Sequence, residues 1–379
     1  MTLTASVLHV YKDYQPVLGG IENHIKWLAE AQVRRGQDVT VLVTSLSRHT
    51  TESVESGVRV IRAARLAHVA STPLSLVLPR SLMRRRPDIA HLHSPYPLGE
   101  MSQWLLGKAQ RTVITYHSDV VRQENILRFY RPLLHRVLRT ASAIMPTSRP
   151  YMETSPMLQP WLGKCHVVPL GIPLAPFLAD RSGEAACVRH DYDTPLLLFV
   201  GALRYYKGLQ FLIRALPRIP QAKLLVVGSG PMRAEWERLA QQEKVADRTH
   251  FLGRVEGHML PVYYQACDLF VLPSHMRAEG FGLAQVEAMA SGKPVVSTEL
   301  GTGTSFVNQH GQTGRVVTPA DPGALVAAIS ELLRDPSRRL DMGRAARERA
   351  QREFSLPVMV DRVQSVYRGV LQQPAQSES

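Results

Sequence analysis

Two glutamates stand eight residues apart in the stretch AEGFGLAQVEAMASGKPVVSTELG, Ala278 to Gly301: Glu279 and Glu287. Paired carboxylates can divide acid and base work, as in a glycoside hydrolase. Their placement points elsewhere. Glu279 precedes the turn of Gly280, Phe281 and Gly282, whereas Glu287 lies inside LAQVEAMA, a run of good helix formers. A strand, a small-residue turn and a helix start expose backbone N–H groups at the positive end of a dipole, a geometry that binds phosphate. An ordinary strand-to-helix turn has the same sequence signature. Glu279, on the loop, is free to reach a ligand. A buried Glu287 would need hydrogen-bond donors to offset lost hydration, and the diol hydroxyls of a ribose are natural ones. A solvent-facing or backbone-paired glutamate is the alternative.

Arg204 and Lys207 follow the apolar run LLLFVGA in the loop ALRYYKG, at a strand's carboxyl end. Two cations beside a phosphate-binding helix start would neutralise a diphosphate and stabilise it as a leaving group. Gly19 and Gly20 follow the first strand and open a helix, so their amides could touch the same phosphates, although the GxGxxG spacing of a dinucleotide site is absent. In TYHSD, His117 and Asp119 close another strand, where His117 could bond sugar hydroxyls or serve as a structural loop residue. His91 and His93 alternate within a strand and face one side. No third ligand accompanies them in the sequence, so no metal site is expected.

The elements that must position these residues fall into two series. SVLHVY, DVTVLVTS, VRVIRA, DIAHLHS, TVITYHS, SAIMPTS and CHVVPLG are short β-branched runs separated by longer helical patterns such as IENHIKWLAEAQVRRG. Such alternation predicts a parallel sheet covered by helices on both faces. A proline-containing segment, IPLAPFLADRSGEAACVRHDYDTP, then reads as an interdomain connection. The pattern restarts with LLLFVGA, AKLLVVGSG, THFLGRV, DLFVLPS, PVVST and GRVVT, with helices expected near 209–216, 232–243, 325–333 and 356–371. Glycines follow strands at Gly201, Gly228, Gly230, Gly253 and Gly280. The expected fold class is therefore α/β, with two Rossmann-like doubly wound domains whose ligands sit beyond the strands' carboxyl ends, facing a cleft.

A chain of 379 residues suits two such domains. Three widely spaced cysteines, Cys165, Cys187 and Cys267, indicate neither a disulfide framework nor a zinc site, which fits a reducing compartment. The first residues lack the features of an export signal, so a cytoplasmic protein is expected. The formal net charge of +13 favours acidic partners such as nucleotide phosphates or an anionic membrane face. Arg80, Arg84, Arg85 and Arg86 form one basic cluster, while Arg122, Arg128, Arg131, Arg136 and Arg139 interleave with apolar residues as on an amphipathic helix. That helix could lie on anionic lipid or present an ordinary solvated face. Nucleic-acid binding has net charge alone behind it and is not expected.

With these residues assembled, the chain resembles the retaining glycosyltransferases of GT-B architecture, in the family-four group. The resemblance rests on the ordered set GGIE, FVGALRYYKG, VVGSGP, FLGRV, the pair Glu279 and Glu287, and EAMASGKPVVST, which spans nearly the whole chain. It implies an N-terminal acceptor domain over 1–172, completed by a C-terminal helix at about 356–373, and a nucleotide-sugar donor domain over 190–355. It implies that Glu279 and the backbone of Gly280, Phe281, Gly282 and Leu283 contact the donor sugar and diphosphate, and that Glu287 holds the ribose. Arg204 and Lys207 would bind the diphosphate, with Gly201 and Gly230 in the same donor site and Gly19 and Gly20 contacting it from the N-terminal domain. His117 would lie near the sugar, and Arg254, within the segment 251–256, by the nucleobase. Many members carry arginine directly after the glycine of the VG segment, where this chain has Ala202; Arg204 is expected to take that role.

The implied reaction moves a hexose from a GDP- or UDP-hexose to a hydroxyl of a glycan or lipid-linked acceptor, with retention and without a metal or cofactor. RYYKGL and ELGTGTSFVNQHG are similar to segments of mannosyltransferases that build surface polysaccharide, which favours mannose and GDP. A sugar-nucleotide epimerase of the same architecture would act on donor alone. A non-catalytic nucleotide-sugar-binding protein would bind donor and transfer nothing.

Overall fold

The computed structural model describes residues 4–17, 19–69, 72–119, 124–192 and 195–374. Arg122 of the expected basic helix lies outside them. The chain divides into two units, Met1–Gly171 with Leu356–Ser379, and Ile172–Ser355.

In the first unit the strands are β1 (Ser6–Val10), β2 (Asp38–Thr44), β3 (Thr51–Glu55), β4 (Val58–Ala63), β5 (Ala67–Val69), β6 (Thr72–Leu74), β7 (Ile89–Ser94), β8 (Arg111–Tyr116) and β9 (Ala143–Pro146). Among the described residues, seven of them form one sheet in the order β3-β4-β2-β1-β7-β8-β9, parallel except for β3 on β4. The order reverses between β1 and β7, which makes the carboxyl ends of those strands a topological switch point. Burial follows the apolar runs: every residue of IAHLHS in β7 is buried, histidines included.

The C-terminal helix Leu356–Gln372 belongs to this unit. Its Met359, Val360, Val363, Tyr367 and Val370 share a core with Val7, Leu28, Ile89 and Val113. Opposite it, the helix Glu124–Thr140 sends Leu134, Val137 and Leu138 into a second core and leaves Arg131, Arg136 and Arg139 exposed. Leu134, Val137 and Leu138 are thus covered by protein rather than open to lipid.

In the second unit the strands are β10 (Leu196–Val200), β11 (Lys223–Val227), β12 (Thr249–Gly253), β13 (Leu269–Leu272), β14 (Val295–Thr298) and β15 (Gly314–Val317). They form a parallel sheet in the order β12-β11-β10-β13-β14-β15, again reversing at its middle, between β10 and β13. Both sheets thus have the doubly wound order expected of the α/β class.

Two local expectations are corrected, and one helix was not anticipated. CHVVPLG forms no strand: Cys165 makes an isolated bridge to Ile144 and Val168 N–H donates to the Pro146 carbonyl at 3.0 Å. The segment expected as a connection carries two helices, Ala175–Leu178 and Ser182–Tyr192, and Ala185 and Val188 pack on Met259, Val262 and Ala266. The charged stretch after Arg334 is an eighteen-residue helix, Pro336–Glu353, capped by the Asp335 side chain. It buries Met342 and Arg349 with the small residues Gly343, Ala346 and Ala350 instead of a wide apolar stripe, so hydrophobic periodicity does not disclose it.

Candidate active site

The second unit collects most of the residues singled out above at its switch point. Gly201 ends β10, and Lys207 follows on the short turn Tyr205–Lys207. Gly208 has φ +68°, and a Cβ there would lie 2.0 Å from the Pro273 carbonyl. Glycine therefore lets this loop close down on the exit of β13, where His275 N–H donates to the Tyr206 carbonyl at 3.0 Å. That approach brings Lys207 Nζ to 2.6 Å from Glu279 Oε2, with both side chains nearly covered. The same oxygen accepts from Ser274 Oγ at 3.0 Å. Burial alone would lower the Lys207 pKa, but Glu279, Tyr206 and Glu287 together outweigh it and hold the pKa above the ordinary lysine value. The ammonium stays charged. The expectation that Glu279 stands free on its loop is corrected: it is buried and ion-paired, because the β13 exit folds it onto Lys207.

Gly282, at φ +79°, caps the helix Leu283–Ala290 without a side-chain hydrogen bond to its first amides. Phe281 is buried, edge-on to Phe354 with ring centroids 5.8 Å apart. The loop after β14 supports this turn: Thr302 Oγ1 donates to the Glu279 carbonyl and Gly303 N–H to the Gly280 carbonyl, both at 2.8 Å. Glu287 follows one turn into the helix. Its Oε2 accepts from Tyr264 Oη at 2.7 Å. The residue keeps a partly exposed edge while its carboxylate lies deep, and burial pushes its pKa up to about 7 against the weaker pull of Tyr264 and Lys207. Tyr264, buried beside it, is raised well above the ordinary phenol range, so its proton remains on the ring oxygen.

Gly230 lies against the backbone of Leu203, and Leu203 N–H donates to the Ser229 carbonyl at 3.0 Å, joining the loops after β10 and β11. Arg254, after β12, is exposed and donates from Nε to Ser229 Oγ at 3.1 Å. Arg204 and Ala202 are exposed on the same loop as Lys207. Lys207, Glu279 and Glu287 thus form one electrostatic group, bordered by these glycine turns. Ser274 and Tyr264, which complete it, carry no sequence signal of their own: a serine at a strand exit and a tyrosine in a core helix are common.

In the first unit, Gly19 and Gly20 open the helix Gly20–Arg34 after β1, with Asn23 N–H bonded to the Gly19 carbonyl at 3.0 Å. His117 follows β8 and is buried, with Nε2 3.1 Å from His93 Nδ1. Asp119 accepts from Tyr116 Oη at 2.8 Å and Ser155 Oγ at 2.7 Å, which gives it a structural place. The expectation that His91 and His93 stand without further partners is corrected. Strand β1 brings His9, and the helix Gly20–Arg34 brings His24, so that nitrogens of His9, His91 and His93, and of His24, His93 and His117, each gather within 4.8 Å. Register explains the first group, since His9 pairs with His91 across β1 and β7.

Residues 18–175 match the family described as Glycosyltransferase Family 4, and residues 185–349 match Glycosyl transferases group 1. Over 97% of its length the chain is 35% identical to the O-antigen chain mannosyltransferase C of Escherichia coli, covering 99% of that protein. The chain belongs to the family-four glycosyltransferases. The glycosyltransferase is also 36% identical to the D-rhamnosyltransferase WbpZ of Pseudomonas aeruginosa, over 92% of each protein. Its fold matches that of sucrose-phosphate synthase from Thermosynechococcus elongatus with a TM-score of 0.80, at 26% identity, over 96% of this chain and 98% of that one. WaaG, a glycosyltransferase of lipopolysaccharide biosynthesis, shares the fold at a TM-score of 0.72 and 18% identity, over 97% of this chain and 100% of that one. The GT-B architecture of two Rossmann-like domains is thereby established for this glycosyltransferase.

Proposed function

We propose that this glycosyltransferase moves a mannose-configured hexose, with retention, from a nucleoside diphosphate sugar to a hydroxyl of a glycan or lipid-linked acceptor in surface polysaccharide or glycolipid synthesis. The observation that carries the reading is the buried pair of Lys207 and Glu279, with Glu287 beside it, at the switch point of the second sheet. A charged lysine held in a nearly dry site is suited to a leaving diphosphate, because its field is little screened there. Glu279 keeps that ammonium in place, and its remaining oxygen can accept a sugar hydroxyl. The amides at Phe281, Gly282 and Leu283 would meet phosphate oxygens, and Glu287 would take the ribose hydroxyls. Arg204 and Arg254, exposed on the neighbouring loops, would add charge at the diphosphate and a contact at the base.

In this scheme the bond between the anomeric carbon and the diphosphate oxygen breaks while the acceptor oxygen bonds the same face of the sugar. The departing phosphate takes the acceptor's proton, which accounts for retention without an enzyme nucleophile. Metal is not needed for charge neutralisation in the scheme, since Lys207 and Arg204 supply it. The names of the mannosyl- and rhamnosyltransferase relatives support the sugar, D-rhamnose being 6-deoxymannose. GDP is favoured over UDP on the likeness of RYYKGL to mannosyltransferase segments. No helix among the described residues is long and apolar enough to cross a membrane. A lipid-linked acceptor would then be met at a cytoplasmic membrane face, with the exposed Arg131, Arg136 and Arg139 on anionic headgroups.

A thermal-shift panel of nucleoside diphosphates and their sugars tests the donor, because a ligand of the folded state raises Tm by mass action. GDP-mannose should give the largest rise. With the donor known, Lys207→Ala should lower kcat by about a hundredfold or more, the scale of losing one transition-state charge contact, with the acceptor KM little changed. Near-normal turnover in that variant would sink the scheme.

A further inference from the structure

Among the described residues, the first unit holds five buried histidines, His9, His24, His91, His93 and His117, around the carboxyl ends of β1, β7 and β8. Histidine is seldom buried in such numbers, and each ring must be matched donor to acceptor. A neutral imidazole has one N–H and one lone pair. Burial lowers His9 to about 4 and His117 to about 3, and drives His24, His91 and His93 well below the ordinary value, so all five rings are neutral.

The hydrogen bonds then determine one another. Gln32 Oε1, which only accepts, lies 2.7 Å from His9 Nε2, so Nε2 carries the proton and His9 Nδ1 is a lone pair. His9 Nδ1 lies 3.1 Å from His93 Nε2, which must therefore donate. His93 Nδ1 becomes the acceptor for His117 Nε2, again at 3.1 Å. At its other end the Gln32 amide, in the orientation seen here, directs Nε2 at Tyr367 Oη at 3.3 Å. A hydroxyl that accepts there has its proton for His91 Nδ1, 2.7 Å away, so the direction of both branches follows the orientation of this one amide. His91 Nε2 ends that branch on Thr115 Oγ1 at 2.6 Å.

We propose that Gln32, His9 and His93 form a buried tautomer-fixing chain that holds His117 with Nε2 protonated and Nδ1 open as a hydrogen-bond acceptor for a substrate hydroxyl. Nδ1 of His117 is buried and has no partner among the described residues. Both nitrogens of His24 share that condition, and the His24 ring stands edge-on to His117 with centroids 5.2 Å apart. One sugar hydroxyl between them would donate to His117 Nδ1 and accept from His24, satisfying both. The chain makes His9, His93 and Gln32 positioning residues for His117, and the identity of the hydroxyl rests on the glycosyltransfer reading above. A divalent cation on His24, His93 and His117 fits less well. Both nitrogens of His93 are already engaged with His9 and His117, and those of His9 and His91 are engaged as well.

Histidine-selective 15N labelling of the full-length protein reads the tautomers through two-bond proton–nitrogen correlations, with no need for activity. Protonated Nε2 at His9, His93 and His117 is expected. Protonated Nδ1 at His93 or His117, or exchange between tautomers, overturns the proposal, because either means that the Gln32 amide does not set the direction. The variants His93→Phe and His93→Gln separate positioning from folding. Phenylalanine fills the space without hydrogen bonds, and should release the His117 tautomer and lower kcat by about tenfold or more with donor KM little changed. Glutamine can still donate and accept, and should restore both. An unchanged His117 pattern in His93→Phe refutes the chain. So does one equivalent of Zn2+ retained by the wild type after dialysis and lost in His24→Ala. If no donor is found but the tautomers are as stated, the transfer reading fails while the chain stands.

Discussion

Replacing Glu287 with glutamine isolates the cost of burying one carboxylate. Glu287 has its pKa at about 7 in the fold, against an ordinary 4.5, chiefly because burial penalises the charged form. The folded protein therefore binds this proton more tightly than the unfolded chain does, and stability falls as pH rises from about 4.5 through about 7, then levels. The separation of the two pKa values corresponds to about 3 kcal/mol of stability lost by the time the group is fully ionised. Glu287→Gln keeps the shape and leaves Tyr264 Oη an acceptor, but carries no charge. Urea denaturation should show the variant more stable than wild type by about 1 kcal/mol or less at pH 5 and by about 3 kcal/mol at pH 8.

Donor binding should run in the opposite direction. If ribose hydroxyls donate to Glu287, the ionised form is the competent one. Its population falls about tenfold between pH 8 and pH 6 for a group titrating near 7. A nucleoside diphosphate sugar is the right ligand, since its diphosphate diester does not titrate in this window. Calorimetric affinity for such a donor should fall by about tenfold over the same interval, with proton release on binding near pH 7, and Glu287→Gln should be weak and flat. The same stability difference at pH 5 and pH 8 would refute the buried-carboxylate account. A wild-type affinity that does not change with pH would refute the ribose contact alone.

Three further tests probe the scaffold. Gly208→Ala places a methyl 2.0 Å from the Pro273 carbonyl at a left-handed residue, so it should destabilise the protein by about 2–5 kcal/mol and weaken donor binding by displacing Lys207; denaturation midpoints and calorimetry measure both. Truncation after Ser355 removes Met359, Val360, Val363, Tyr367 and Val370 from the first unit's core, each worth about 1.5–3 kcal/mol of burial. That total rivals the whole stability of a domain, so the truncated protein should lose a cooperative unfolding transition by calorimetry. Changing Arg131, Arg136 and Arg139 to glutamine should abolish salt-sensitive cosedimentation with anionic vesicles; binding that persists would exclude this arginine row as the membrane contact.

Much of the architecture was legible because parallel strands buried on both faces are written as short unbroken apolar runs. LLLFV, KLLVV and LFVL read directly as β10, β11 and β13. Helix Pro336–Glu353 was not legible, since its buried face, Met342, Gly343, Ala346, Arg349 and Ala350, is mostly small or charged and periodicity counts it weakly; Gly343 lies close to backbone, with the Gly292 carbonyl where a Cβ on it would go. The stretch around Ser182–Tyr192 failed for a similar reason, with Ala185 its buried residue.

The candidate site divides in the same way. Residue types and loop positions brought Lys207, Glu279 and Glu287 together in the reading, because each follows the carboxyl end of a strand, where ligands of such sheets sit. What those residues touch was out of reach. Tyr264 meets Glu287 from another helix, and Ser274 meets Glu279 across a loop, so both contacts depend on how elements pack rather than on spacing along the chain. The histidines show the limit most clearly. His91 and His93 were visible as a pair two residues apart, but His9 joins them only through the β1–β7 register, and Tyr367 reaches them from a helix 276 residues beyond His91. A one-residue slip of β1 against β7 would turn His9 to the other face and break the chain at its first imidazole. The direction of that chain is therefore a property of sheet register, which composition and motif cannot encode and which imidazole tautomers can report.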